Sequence, residues 1–212
     1  RPWPETLEDR WRAVALTIVV APQLWTHTLV DAAWARAQIE GIGSTGRSYT
    51  RFLLSPGIAQ LDLRDKHVVV VAAPGLVTGL HALWMLHLWD RDAPATWHVL
   101  TMGDRRLIVR RSDERTLELS TLGRRLLDQP QETLFRAADD PPRLGDEIDV
   151  GLLRVRVVRE HPSGGPVAVR VTFDRPLDET SMVFLSAGPD GLLPFELPPA
   201  GRAVALPPPE LP

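Results

Sequence analysis

Cysteine is missing from the 212-residue sequence. Its absence removes disulfides, thiolate metal ligands and a catalytic thiol, and leaves the redox compartment open. Strong charge of either sign is also missing. The 24 basic residues face 27 acidic ones for a net charge of -3, so no global field draws the chain to nucleic acid. Lysine is reduced to Lys66 alone among those 24 basic residues, a bias read as high-GC coding and not as arginine selected for phosphate forks. Catalytic signatures are absent as well: there is no GxSxG elbow and no HExxH pair, and serines such as Ser44, Ser55 and Ser120 are scattered. His81 and His87 fall on different faces of a helix and cannot share a metal. Neither a metal nor a cofactor is expected. The chain opens at Arg1 without the basic, apolar, small-residue succession of a signal peptide, and is expected to be a fragment or a processed form.

What is present is enough chain for one large domain or two small ones, since about 150 residues already bury roughly two thirds of their unfolded surface. The composition breaks near Gly103. All seven tryptophans and five of the six histidines lie before residue 100, and the remainder is rich in Val, Leu, Arg, Pro and Gly. Residues 11–38 are helix-permissive, and their uncharged stretch over 13–28 contains Pro22, Gln23 and His27. A membrane-spanning helix wants about 20 apolar residues, so this region is read as an amphipathic or interfacial helix pair broken at Pro22. Residues 41–48 (GIGSTGRS) form a loop by composition.

Residues 67–89 carry no Lys, Arg, Asp or Glu and end in tryptophans, a pattern that hydropathy alone would assign to a membrane span. The β-branched run Val68 to Val71, the break at Pro74-Gly75 and the helix-length apolar content of 76–89 favour strand, turn and helix instead, with strand character returning at 97–101. From Asp104 onward the pattern is antiparallel β. Residues 106–111 and 116–121 flank a hairpin turn, and two further strands flank the turn chemistry of 161–166. In that second pair Leu153, Val155 and Val157 share one face, as do Val167, Val169, Val171 and Phe173, whereas Arg154, Arg156 and Arg170 point the other way. Residues 182–186 and 192–197 supply further short strands, and 207–209 begin an extended proline tail.

Several motifs invite a functional reading. The glycines Gly41, Gly43 and Gly46 satisfy GxGxxG, but a helical stretch precedes them where a phosphate loop needs a strand, and Arg47 stands where the phosphate-binding lysine belongs, so a linker is the better reading. The turn Ala73-Pro74-Gly75 follows a strand at the position where many α/β proteins bind ligands. Pro74, Gly75, Thr78 and His81 are therefore the candidate ligand-binding residues. The arginines at 105, 106, 110, 111, 124, 125, 154, 156 and 170 could meet anionic headgroups, yet interleaved acidic residues favour a solvated, salt-bridged face. Asp139, Asp140, Asp146, Glu147 and Asp149 lack the DxDxDG order of a calcium loop, and 141–146 reads as a turn into a strand.

The succession over 107–117 (LIVRRSDERTL), 134–136 (LFR), 144–147 (LGDE), 171–178 (VTFDRPLD) and 190–195 (DGLLPF), closing on 198–201, resembles the carboxy-terminal soluble region of uncharacterised multi-pass membrane proteins of high-GC bacteria. The resemblance covers residues 11–206. It implies a last membrane-associated helix at 11–38, strand plus helix at 67–89 and a location at a membrane surface, and it implies no reaction.

The expected fold is α+β. N-terminal helices in a membrane-proximal or partner-binding arm (1–60) and a β-α-β unit (61–103) would precede a small antiparallel β sandwich or partly open barrel (104–206) and a proline-rich tail (207–212). The expected function is that of a non-catalytic, membrane-proximal accessory or interaction domain. A membrane protein or membrane surface and a protein partner are expected, nucleic acid is not, and Trp11, Trp25 and Trp34 are the candidate contacts. The alternatives are a divergent α/β-type enzyme using Ala73-Pro74-Gly75 with a carboxylate such as Asp62 or Asp104, or a structural subunit of a larger assembly.

Overall fold

Through the described residues, β-branched and leucine-rich runs alternate with Gly, Pro and Asp turns and fold as strands. The computed structural model describes residues 58, 60–75, 86, 93–128, 132, 141–188 and 191–208, all within the unit spanning 49–212. Among them, β1 (His67–Ala72), β2 (Thr96–Val99), β8 (Met182–Gly188) and β9 (Gly191–Pro194) make a four-stranded sheet in the order β2-β1-β8-β9. β3 (Leu107–Arg111), β4 (Thr116–Thr121), β5 (Glu147–Asp149), β6 (Leu153–Glu160), β7 (Pro166–Phe173) and β10 (Ala203–Leu206) make a six-stranded antiparallel sheet in the order β10-β3-β4-β7-β6-β5.

The expectation of an α+β fold led by N-terminal helices is corrected. The described region is 47% strand and 2% helix, arranged in two sheets. The central strand β1 is not confined to a sheet of consecutive elements. It pairs in parallel with β2 on one side and with β8 on the other, so its sheet is completed by residues from the far end of the sequence. Local periodicity carries no information about that long-range pairing, and the helix-permissive composition of the first half weighed on the fold class in its place. Residues 76–85 and 87–89, where a helix was expected, lie outside the described residues, as do 1–57. Among the described residues no helix is long and apolar enough to cross a membrane.

The two faces of β1 separate two cores because successive side chains of a strand point to opposite sides. Val69 and Val71 pack with Met182 and Phe184 against Leu107, Val109, Leu119, Val171 and Phe173 of the six-stranded sheet. Phe173 and Phe184 meet edge to face with centroids 5.9 Å apart at 77°, a geometry that aromatic quadrupoles favour. Val68 and Val70 pack on the other side with Leu185, Leu192, Ile58, Leu63 and Leu86. The four-stranded sheet is thus buried on both faces, which explains why its strands read as continuous apolar runs, whereas the six-stranded sheet keeps one face in water and alternates.

Candidate interaction site at an edge strand

β5 is the end strand of the six-stranded sheet and, among the described residues, pairs with β6 alone, with Glu147 opposite Arg156, Ile148 opposite Val155 and Asp149 opposite Arg154. Its turn into β6 is fixed by Val150 N–H donating to Leu153 O at 3.0 Å and Gly151 N–H donating to Asp149 Oδ1 at 2.9 Å. Gly151 takes φ 84°, a conformation that side chains disfavour. At the other end Gly145 N–H donates to Val157 O and Val157 N–H to Asp146 O, both at 2.9 Å. Because bonded pairs alternate along an antiparallel ladder, Ile148 bonds inward to Val155. The backbone N–H and C=O groups of Glu147 and Asp149 then face away from the sheet.

All three β5 residues are exposed, and the apolar ones around this edge are, among the described residues, the most exposed large hydrophobics after Leu122: Leu144 at 62%, Ile148 at 59% and Val150 at 49%. Pro141 and Pro142 border a shallow recess beside Asp146, Glu147 and Ile148. The edge therefore combines unused backbone donors and acceptors with apolar side chains in water, the combination that a complete strand pairing would remove.

The wet face next to this edge carries charge in a cross-strand network. Arg154 reaches Glu147 at 3.2 Å and Asp149 at 2.9 Å. The amide of Gly151 and then the Arg154 guanidinium hold the Asp149 carboxyl below the usual range. Arg156 and Arg170 stand opposite each other, and Arg170 reaches Glu118 at 3.7 Å. Glu147, Asp149, Arg154, Arg156 and Arg170 line an open groove of about 410 Å³ with Thr172 and Asp174. Such exposed pairs contribute little to stability. The acidic residues of 146–149 answer arginines and turn amides, Asp146 Oδ2 accepting from Arg143 N–H at 2.8 Å.

Two clusters were not visible in the sequence. In the first, the buried Arg105 guanidinium donates from Nη2 to Glu132 Oε2 at 2.5 Å and from Nη1 to Arg125 O at 3.0 Å, with Asp128 at 3.5 Å. In the second, buried Arg111 forms a two-pronged pair with Asp178, Nη1 to Oδ1 at 2.8 Å and Nη2 to Oδ2 at 2.5 Å. The pairing holds the Asp178 carboxyl below the usual range. Doublets of arginine in the sequence mark these positions, but only tertiary packing separates the inward member of each from the outward one.

Of the residues singled out from the sequence, Pro74 and Gly75 are buried at the carboxyl end of β1. That end is stitched to the segment after β2 by Ala73 N–H donating to Thr101 O at 2.9 Å and Gly103 N–H to Ala73 O at 3.0 Å. The nearby carboxylate is Glu132, whose Oε1 accepts from Met102 N–H at 3.4 Å. Asp104 instead pairs with Arg124 at the surface, and Asp62 accepts from the Arg64 amide. Thr78, His81, Trp11, Trp25 and Trp34 lie outside the described residues. Compared with protein-family models, curated proteins and solved structures, the chain matches none of them.

Proposed function

We propose that the chain is a non-catalytic, membrane-proximal interaction domain that receives an extended segment of a partner protein along β5. The observation that carries this reading is the open β5 edge, with outward backbone groups at Glu147 and Asp149 and exposed Leu144, Ile148 and Val150 beside them. Addition of a strand to such an edge satisfies the backbone groups and covers the apolar side chains in one step. Pairing of β5 with β5 of a second copy would set Glu147 and Asp149 against carboxylates, a repulsion that edge strands use against self-association. A partner strand that alternates basic residues, opposite Glu147 and Asp149, with an apolar residue opposite Ile148 has the complementary pattern. The membrane-proximal part rests on the tryptophan-rich composition of residues 1–60, including Trp11, Trp25 and Trp34.

The test is titration of the full chain with a synthetic peptide that alternates arginine and valine, followed by amide exchange and methyl shifts. Binding that protects the Glu147 and Asp149 amides, shifts the Ile148 methyls and weakens at least tenfold in Glu147→Pro supports the reading. That substitution removes an outward N–H and leaves the inward ladder bonds in place. Equal binding by the variant, or shifts confined to other strands, refutes it. Partition of the full chain into anionic vesicles, lost when Trp11, Trp25 and Trp34 are replaced by alanine, supports the membrane part, and absence of partition by the unmodified chain removes it.

A further inference from the structure

Where the two sheets diverge near β2 they leave a cavity of about 210 Å³. Its wall includes Leu119, Leu153, Val155 and Val171 of the six-stranded sheet, Val150 near its β5 side, and His98 of β2. His98 pairs with Val69 in the parallel register, and Val69 belongs to the core between the sheets, so His98 occupies the face of β2 that looks toward the six-stranded sheet. Every other side chain of the wall is a valine or a leucine.

Within this apolar wall, His98 Nε2 is buried and has no hydrogen-bond partner. A buried polar atom left unpaired costs about 1–3 kcal/mol, so an occupant that supplies the bond is favoured over an empty site. An ordered water would find only one polar partner among the wall's side chains, where about 2–4 are wanted. Burial, and secondarily the charge of His67, pushes the His98 imidazole below its ordinary value. The ring is therefore neutral at pH 7 and does not call for an anion. Its Nε2 donates in one tautomer and accepts in the other, and a hydroxyl can answer either.

We propose that this cavity is a binding site for a single-ring, hydroxyl-bearing apolar molecule, a simple phenol in chemical class, whose ring fills the space between the sheets and whose hydroxyl bonds His98 Nε2. The size argues for one ring: a dry cavity of about 150 Å³ already admits benzene, and a fused multi-ring ligand wants a larger pocket of about 300 Å³ or more. The site is separate from strand addition at β5, with Val150 the one residue near both.

The experiment is a titration of the full chain at neutral pH with p-cresol and, in parallel, with p-xylene, in which a methyl replaces the hydroxyl. Methyl resonances of Leu119, Val155 and Val171 serve as the readout. The expected result is saturable shifts with p-cresol and at least tenfold weaker binding of p-xylene. In His98→Leu the two probes should bind alike, and in Val150→Trp, a change at an exposed residue, p-cresol binding should weaken. Wild-type binding of both probes with equal affinity, binding of neither, or full discrimination retained in His98→Leu would overturn the proposal.

Discussion

Replacing Glu132 by glutamine removes the negative charge that faces Arg105 in a place where neither side chain reaches water, each being 2% exposed. Breaking one partner of a buried ion pair typically costs about 3–5 kcal/mol, because the survivor keeps its charge without compensation. Two details place Glu132→Gln at the lower end, about 3 kcal/mol. Asp128 stands 3.5 Å from the same guanidinium at 27% exposure and can take up part of the charge, and the Arg125 carbonyl still accepts from Nη1. The paired replacement Arg105→Met with Glu132→Leu has a different outcome. Apolar side chains of similar volume remove both charges together, so the double variant should stay within about 2 kcal/mol of wild type, the residual including the unpaired Arg125 carbonyl and Met102 amide. Urea unfolding followed by tryptophan fluorescence reads both. With a slope of about 2 kcal/mol/M, the single variant should lose about 1.5 M in midpoint. The reasoning fails if Glu132→Gln costs under about 1 kcal/mol, or if the two single changes simply add in the double variant.

Three further outcomes are expected. His98 has a folded value below that of the unfolded imidazole, so the unfolded chain takes up its proton first, and stability contributed at His98 is complete above about pH 6.5 and declines on acidification. His98→Leu should flatten that part of the stability profile between about pH 8 and pH 5.5, and parallel urea midpoints for the two proteins would contradict it. Asp178→Asn should cost about 1 kcal/mol at neutral pH after allowance for the screening of a carboxylate 72% exposed. Its folded value is depressed, so the difference from wild type should shrink as pH falls below about 3.9, measured by thermal unfolding in low-pH buffers. Gly151→Ala should cost about 1–2 kcal/mol through backbone strain alone, since an added Cβ at φ 84° meets nothing within 4 Å; an unchanged melting temperature would refute this.

The strands β3, β4, β6 and β7 were legible because each alternates between a dry and a wetter face. The sequence pattern put Leu153, Val155 and Val157 on one face and Val167, Val169, Val171 and Phe173 on one face, and the register pairs Leu153 with Phe173, Val155 with Val171 and Val157 with Val169, leaving Val167 without a ladder partner among these. β1 was legible from its valines and β2 from Trp97 onward. The short β10 was not read, since AVAL after a proline-glycine turn is too brief for a period, and its pairing to β3 exists only through the return of the chain. The sheet to which β8 belongs was unreadable for a related reason: residues 182–188 look like any short apolar strand, and nothing local marks β1 as their neighbour. The candidate site had the same limits. The turn into β5 could be anticipated from Leu144, Gly145 and Asp146, but an edge position and the exposure of Ile148 depend on which strands remain unpaired. The orphaned nitrogen of His98 likewise arises from the divergence of two sheets, a property of packing.

The parallel pairing of β1 with β8 also sets an order of events during synthesis. β1 emerges early with Val68 to Val71 and cannot acquire its second neighbour until residue 188 has left the ribosome. The intervening hairpins β3-β4 and β6-β7 need only nearby residues, and contacts of short sequence separation form first. A nascent chain halted anywhere between those hairpins and β8 therefore displays an uncharged, β-branched strand with an open edge, the kind of segment that seeds aggregation. Truncation before residue 182 should accordingly yield insoluble chains even though the hairpins are complete, and a chaperone that acts on this protein during translation would be expected to hold the valines of β1.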